Sequence, residues 1–202
     1  MKVDSRLGAG CLRRLSDGRE VVIRAARGGD EPLIQAFIGG LSLASRYQRF
    51  FLALHELSAP VLEHIVRGDA HSEAALLALT AQGEVVGLVQ YVGPETLERA
   101  EVAVVVADAW RRVRVGLGAQ LLMHLERVAT AAGVEHVEAD ILRDNIAAIQ
   151  LASTLGARVG KSPNGEGLVR VVRQLAAATE GVDLVSFRRI FPVQKILSKR
   201  LP

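Results

Sequence analysis

Two glycines, Gly116 and Gly118, stand at the start of a segment whose apolar residues recur at helical spacing. An apolar, β-branched run from Val102 to Val106 precedes them and is typical of a strand buried on both faces. The first turn of a helix has free N–H groups and roughly half a positive charge, and glycines let a phosphate approach the backbone closely. This segment therefore predicts a binding site for an anion, with a pyrophosphate as the expected ligand.

Two well-known phosphate motifs do not match this segment. A Walker loop requires Lys and Ser/Thr after its last glycine, whereas Ala119 and Gln120 follow Gly118. A dinucleotide fingerprint requires a third glycine where Leu121 stands. The Gly-Lys-Ser that begins at Gly160 also fails the Walker spacing and runs directly into a proline. The anion site is therefore expected to be of another kind.

Glu101 lies directly before the apolar strand. A carboxylate in such a position is expensive to desolvate unless it remains at a wet cleft or has a chemical task. Two interpretations are open: a general base, with Glu98 as the second choice, or an edge carboxylate paired with Arg99.

Composition limits the classes of protein that fit. With 202 residues, of which 50% are hydrophobic, the chain can bury one substantial core, so one domain is the default. A net charge of +3 from 25 basic and 22 acidic residues argues against nucleic acid as the partner. No apolar stretch approaches the ~18 residues that cross a membrane, and no secretion signal is recognised. We therefore expect a cytoplasmic protein.

The metal-ligating and redox residues are few. Cys11 is the only cysteine, which excludes an internal disulfide and a cysteine-rich metal site. The five histidines have no metal-ligand spacing, so we expect no metal. His124 falls on the polar side of the helix after Gly118 and is expected to be solvated.

The hydrophobic pattern predicts an α/β fold with a mixed sheet. Residues 1–17 form a polar lead without a clear period. A hairpin turn at Ala81-Gln82-Gly83 lies in the middle of the chain, where a plain doubly wound sheet would have a helix. The predicted elements, in order, are a strand at 19–24, helices beginning near 31, 41 and 59, strands at 74–80, 84–92 and 99–106, a helix ending at Gly133, a strand at 134–142, a helix at 145–155, and strands at 158–160 and 168–175.

The segment Val113-Arg114-Val115-Gly116-Leu117-Gly118, set between a buried strand and an amphipathic helix, resembles the central motif of the GNAT superfamily of acyl-CoA N-acyltransferases. The segments DGREVVIRAAR from Asp17, SRYQRFF from Ser45 and AEVAVVV from Ala100 are similar to the GNAT domain of bacterial Pat-type protein lysine acetyltransferases. The resemblance covers about residues 20–174. It implies the GNAT fold, with strand and helix order β-α-α-β-β-β-α-β-α-β-β around a mixed central sheet.

The resemblance also implies roles for particular residues. Glu101 takes the place of the general base of Pat-type enzymes. The family binds its acyl-CoA through the backbone of one strand, the glycine loop and helix start, and an asparagine. The corresponding residues here are Val104, Val105, Val106, Arg114, Val115, Gly116, Leu117, Gly118, Ala119 and Asn145. From the residues alone, Asn145 could equally be a helix cap, and the valines could be plain core. Trp110, Arg111 and Arg112 are candidates to stack on or pair with the carrier's nucleotide, or belong to an exposed loop.

Three features depart from the family pattern. Val113 replaces the usual Gln or Arg, the loop after Trp110 is longer than usual, and Ala152 stands where many members have a tyrosine that protonates the leaving thiolate. Pat-type domains commonly lack that tyrosine too.

The predicted function is transfer of an acetyl or other short acyl group from acetyl-CoA to an amine, by direct attack without an acyl-enzyme. The acceptor is a protein lysine or, alternatively, a small-molecule amine. A second alternative is a GNAT-shaped module that binds acyl-CoA without turnover. A homodimer is left open.

Three regions are expected along the chain: the lead at 1–17, the GNAT domain at 18–178 and an extension at 179–202. The extension has five basic residues against Asp183 alone, interleaved with apolar ones. It fits either a basic amphipathic segment for an acidic partner or surface, or a segment that packs on its own domain or a second copy.

Overall fold

The structure is a computed structural model and describes residues 10–52, 54–68, 72–93, 98–111 and 116–176. The predicted extension at 179–202 and the binding residues Arg114 and Val115 lie outside this part of the chain. The strands are β1 (Cys11–Arg14), β2 (Glu20–Ala25), β3 (Glu73–Leu79), β4 (Val85–Val92), β5 (Arg99–Val106), β6 (His136–Leu142), β7 (Arg158–Lys161) and β8 (Leu168–Gln174). The helices are α1 (Glu31–Gly39), α2 (Leu43–Phe50), α3 (Ala59–Arg67), α4 (Leu117–Ala132) and α5 (Ile146–Thr154), with a 3-10 turn at Asp108–Trp110.

The strands form one eight-stranded sheet in the order β1-β2-β3-β4-β5-β6-β8-β7. All neighbours are antiparallel except β5 and β6, which run parallel. The mixed sheet and the central β3–β4 hairpin confirm the predicted fold class. None of the helices in the described residues is long and apolar enough to cross a membrane.

Two hydrophobic clusters lie on opposite faces of the sheet. On one face, α1 and α3 pack against β3 and β4, with Ile34, Ile38 and Leu77 fully buried. On the other face, α4 packs against β4 and β5 through Leu121 and Leu125. The apolar spacing of each helix, three or four residues apart, places one stripe on the sheet, as the sequence predicted. Gly133 ends α4 in the left-handed conformation, with φ 95°.

Strand β1 lies inside the segment that the sequence analysis treated as a lead without strands. It pairs with β2 across a tight turn that Gly18 closes with φ 87°. The alternation of apolar and polar residues that marks a strand is not visible in β1. It is an edge strand of sequence Cys-Leu-Arg-Arg, in which Leu12 is 60% exposed. Only the pairing with β2 makes this segment a strand.

The expectation that His124 is solvated is wrong, because the same strand β1 contacts its side chain. The His124 side chain is half-buried, and Arg13 of β1 donates from Nε to its Nε2 at 3.0 Å. Its Nδ1 lies 2.7 Å from the Gln120 carbonyl oxygen, so the ring is held as the neutral tautomer with hydrogen on Nδ1. Burial lowers the pKa of His124 below its ordinary value, which agrees with this assignment.

Candidate active site

The parallel strands β5 and β6 separate after a short pairing. Their ladder joins residues 99–101 to residues 136–138 and ends at the pair Glu101 and Glu138. Beyond this pair, β5 continues along β4 to Val106, whereas β6 continues along β8 to Leu142. A wedge-shaped opening therefore lies in the sheet, and Glu101 stands at its narrow end.

One cavity, the α4 cleft, runs along β5 and the start of α4 and has a volume of about 500 Å³. The predicted binding residues that line it are Val104, Val105, Val106, Gly116, Leu117, Gly118, Ala119 and Asn145. The structure thus brings together residues from β5, α4 and α5 that the resemblance assigned to one ligand.

The start of α4 has the form of an anion cradle. Gly116 is the N-cap, and the first intrahelical bond runs from the Gln120 N–H to its carbonyl at 3.2 Å. The N–H groups of residues 117–119 therefore have no partner within the helix. A Cβ at Gly118 would lie 3.3 Å from Leu151 Cδ2, so any side chain there would fill the gap between α4 and α5. These features fit the pyrophosphate of CoA.

The backbone of β5 directs polar groups into the opening. The Ala107 N–H donates to the Val86 carbonyl on the β4 side at 2.9 Å, and the β4–β5 register runs unbroken from Val106 to Glu101. Because successive residues of a strand turn their N–H and C=O groups to opposite edges, Val102, Val104 and Val106 direct theirs away from β4. The Val106 carbonyl does accept from Arg111 Nε on that side, at 3.1 Å. Val104 therefore offers an N–H and a C=O to a ligand in the opening.

A second cavity, the Glu101 cavity, adjoins the α4 cleft and has a volume of about 330 Å³. Side chains from α2, β5, β6, α4 and α5 line it. Residues that line both spaces are Gln48, Arg49, Val104, Asn145, Ala148, Leu151 and Leu155. A ligand in the α4 cleft can therefore reach Glu101 through a shared wall.

Arg170 binds two of the carboxylates that line the Glu101 cavity. It forms a bidentate pair with Asp140, at 2.6 and 2.7 Å, and its Nη1 lies 2.7 Å from Glu138 Oε1. The hydrogen bond from Arg170 lowers the pKa of Asp140 below its usual range. Arg99 contacts Glu138 as well, at 3.5 Å. The alternative that Glu101 is an edge carboxylate paired with Arg99 is therefore wrong.

The carboxylate of Glu101 forms no hydrogen bond and no ion pair within 4.0 Å with any residue that the structure describes. Its side chain lines the cavity and is exposed to solvent. The positive charges of Arg49 and Arg170 act on it through space. Glu101 is thus a solvent-exposed carboxylate at the cavity, without a close partner among the described residues.

Arg49 is a residue to which the sequence analysis gave no role. It projects from α2 with its guanidinium 4.8 Å from the centre of the Phe50 ring. Its Nε is buried without a hydrogen-bond partner among the described residues. Burial lowers the pKa of Arg49 to about 10, and the negative charge of Glu101 acts in the opposite direction. A buried, unsatisfied donor that lines both cavities is suited to bind an oxygen atom of a ligand.

Asp108 holds α2 against the end of β5. Its carboxylate accepts from the Ser42 N–H at 2.9 Å and from Ser45 Oγ at 2.5 Å. Burial alone would raise the pKa of Asp108, but the hydrogen bonds from Ser45 and Ser42 hold it below its ordinary value. This contact places Gln48 and Arg49 over the cleft.

Trp110 and Arg111 line the α4 cleft, as the nucleotide hypothesis requires, while Arg112 lies outside the described residues. The guanidinium of Arg19 lies 4.1 Å from the centre of the Trp110 ring, so one face of that ring is already covered. Only the other face of Trp110 is left for stacking.

Asn145 has two roles in the structure. Its Oδ1 accepts from the Ala148 N–H at 3.2 Å, which makes it the N-cap of α5, and it also lines both cavities. Ala152 of α5 lines the Glu101 cavity. No tyrosine lines either cavity among the described residues, since Tyr91 is fully buried in the core and Tyr47 is exposed on α2.

A mixed sheet with one parallel pair that opens beside a glycine-started helix is an α/β fold with a cleft that can hold a phosphorylated carrier. The acetyltransferase (GNAT) family model matches residues 42–157. The chain belongs to this family and is an acyl-CoA N-acyltransferase.

Individual proteins show the same likeness. The chain is 32% identical over 168 residues to acetyltransferase PA5475 of Pseudomonas aeruginosa. The aligned region covers 82% of this chain and 88% of that protein. The GNAT domain of PAT from S. lividans superimposes with a TM-score of 0.76 at 27% identity, covering 83% of this chain and 97% of that one. YncA of Salmonella typhimurium, solved with its cofactor acetyl-CoA, has the same fold, with a TM-score of 0.62 at 21% identity over 77% of this chain and 94% of that one. The resemblance stated from the sequence is confirmed.

Proposed function

We propose that this acyltransferase transfers an acetyl group from acetyl-CoA directly to an amine, with Glu101 as the general base. One observation carries the proposal. Glu101 stands where the two strands separate, with no close partner among the described residues, whereas Arg170 engages its neighbours Glu138 and Asp140. It is the carboxylate at this end of the opening that is free to take up a proton.

The cleft supports binding of the carrier. The free N–H groups at the start of α4 suit the pyrophosphate, and the side-chain-free surface of Gly118 lets it approach. The edge of β5 at Val104 suits the amide groups of the pantetheine arm and, with its N–H, the thioester oxygen on which negative charge develops.

Acyl transfer to an amine depends more on a general base than on a general acid. An alkyl ammonium has a reference pKa near ~10.4, so at neutral pH the acceptor must lose a proton before its nitrogen attacks the thioester carbon. Glu101 accepts the proton of the ammonium, and the neutral amine attacks. The new C–N bond forms as the C–S bond breaks, CoA leaves as a thiolate, and the second nitrogen proton passes to solvent or to the thiolate. A thiol has an ordinary pKa near ~8.5, so the thiolate departs without a dedicated acid. The lack of a tyrosine at Ala152 is compatible with turnover.

The acceptor is an amine, and two kinds are candidates. The likeness to the PAT domain favours a protein lysine. A small-molecule amine is the second candidate, because the Glu101 cavity is a concave space of the size that small ligands occupy.

The test is release of CoA from acetyl-CoA as a function of added amine, with lysine peptides and a panel of small amines. Glu101→Gln preserves shape but cannot accept a proton, so kcat should fall about 10²- to 10⁴-fold while the Kd for acetyl-CoA stays the same. The loss should shrink at high pH, where free amine is available.

The matched control is Glu98→Gln, because Glu98 is exposed and lines neither cavity. Its turnover should equal that of the wild type. A normal rate in Glu101→Gln, or an equal loss in Glu98→Gln, would overturn the assignment of the base.

A further inference from the structure

The Glu101 cavity has two parts, one on each face of the sheet. The side chains of Glu101 and Glu138 belong to the face that carries Val105, and α2 brings Arg49 to this polar part. Val102, Val104 and Val137 belong to the opposite face, on which α4 packs. Because the lining includes residues of both faces, the cavity passes through the opening between β5 and β6.

The part on the α4 face is apolar and is walled by small residues. Leu122 of α4, Leu151 and Leu155 of α5 and Val171 of β8 form its larger walls. Ala139, Ala148, Ala152 and Ala157 leave space between them. We call this part the acyl chamber. It continues from the α4 cleft, since Val104, Leu151 and Leu155 line both spaces.

We propose that the acyl chamber accepts a donor acyl chain longer than acetyl, a straight saturated chain of a few carbons, and that Ala152 sets its depth. The inference rests on the proposed function. A carrier that lies along β5 brings its thioester to Val104, and the acyl group then has an apolar space on one side and Glu101 on the other. The amine approaches from the Glu101 side, so the chain and the acceptor do not compete for the same volume.

A polar pair forms part of the chamber wall. Arg173 Nη1 lies 3.1 Å from Glu126 Oε1, and both residues line the cavity. Burial raises the pKa of Glu126, while Arg173 opposes this. An acyl chain that extended as far as this pair would have to desolvate it, which limits the chain to a few carbons.

The chamber is the apolar part of a cavity that holds about 330 Å³ in all, at the lower end of the range in which small ligands are bound. Each methylene buried in an apolar site strengthens binding about fourfold. Butyryl-CoA, with two methylenes more than acetyl-CoA, should therefore bind about 15-fold more tightly than acetyl-CoA.

The experiment measures Kd by calorimetry for CoA, acetyl-CoA and butyryl-CoA. The variants are Ala152→Phe and the milder Ala152→Leu, which both shorten the chamber, and the control Ser153→Phe. Ser153 is the adjacent residue of α5, is exposed and lines neither cavity. The wild type and Ser153→Phe should bind butyryl-CoA about 15-fold more tightly than acetyl-CoA. The Ala152 variants should lose or reverse this preference.

Each outcome decides one of the two proposals. Equal Kd values for acetyl-CoA and butyryl-CoA in the wild type, or the same preference in the Ala152 and Ser153 variants, overturn the chamber and leave acetyl transfer intact. Failure of the wild type to bind CoA in any form overturns the proposed carrier site itself. If Ala152→Phe does not fold, as judged by circular dichroism, Ala152→Leu decides.

Discussion

The two sides of the β5–β6 opening are built differently. On the β4 side, β3 has six buried residues out of seven, and helices cover both faces of the sheet. On the β6 side, Val137 is the buried residue of β6, every residue of β7 is exposed, and α5 has no buried residue in the described part of the chain. The first side has the packing of a scaffold, whereas the second lines cavities.

The difference indicates that the β4 side of the opening supplies stability and that the β6 side leaves space for ligands. Close packing on both faces fixes β5 and the start of α4, so the groups that face the carrier keep their positions. The looser β6–β8 side leaves room for ligands and holds its shape through polar contacts such as those of Arg170. We expect mutations on the two sides to separate loss of stability from loss of binding.

The largest expected effect compares a scaffold leucine with a cleft leucine. Leu77→Ala removes a side chain with 0% exposure from the core and should lower the free energy of unfolding by about 2–5 kcal/mol. Leu151→Ala removes a half-buried side chain that lines both cavities and should lower it by about 1 kcal/mol while weakening acetyl-CoA binding. Urea denaturation and calorimetry give the two quantities. A larger loss of stability from Leu151→Ala would contradict the division into scaffold and cleft.

The next largest expected effect is on CoA binding and leaves folding unchanged. Gly118→Asp places a carboxylate and a Cβ between the start of α4 and Leu151, so it should weaken CoA binding by about 100-fold or more. An acidic residue in the first turn suits the helix, so the circular dichroism spectrum should not change. The matched control is Gly160→Asp in β7, where an added Cβ meets nothing within 4 Å. Unchanged CoA affinity in a folded Gly118→Asp protein would remove the carrier from this cleft.

The smallest expected effect is at Arg49, where a substitution should lower activity without lowering stability. The buried Nε of Arg49 has no hydrogen-bond partner among the described residues, which costs stability, so Arg49→Met should leave the free energy of unfolding unchanged or raise it by about 1 kcal/mol. The rate of amine-dependent CoA release should fall about tenfold, because the ligand loses a charged donor. Arg46→Met is the control on the same helix. Arg46 lines neither cavity and donates to the Gly39 carbonyl at 3.2 Å, and its Nε, like that of Arg49, is buried without a partner among the described residues, so its loss should spare the rate.

Much of the fold follows from local sequence signals. The β5 strand has the predicted bounds, because a β-branched run with a turn on each side is unambiguous. The end of α4 at Gly133 and the β3–β4 hairpin also follow from short segments. The predicted second helix at 41–54 is shorter in the structure and ends where Phe51 adopts a φ of 56°. No pattern in the side chains predicts that stop.

The sequence by itself determined the order of the elements from β2 onward, the glycine-started helix and, through resemblance, the candidate base and carrier residues. These depend on periodicity and short motifs, which are properties of neighbouring residues. Only the tertiary structure decided that β5 and β6 separate beyond Glu101 and that Arg170 engages Glu138 and Asp140, which leaves the Glu101 carboxylate without a close partner among the described residues. It also decided that Asp108 brings Arg49 over the cleft. These contacts join residues 30 or more positions apart. A strand pattern fixes which face each side chain occupies, but not where two strands stop pairing, because that depends on what packs on both sides.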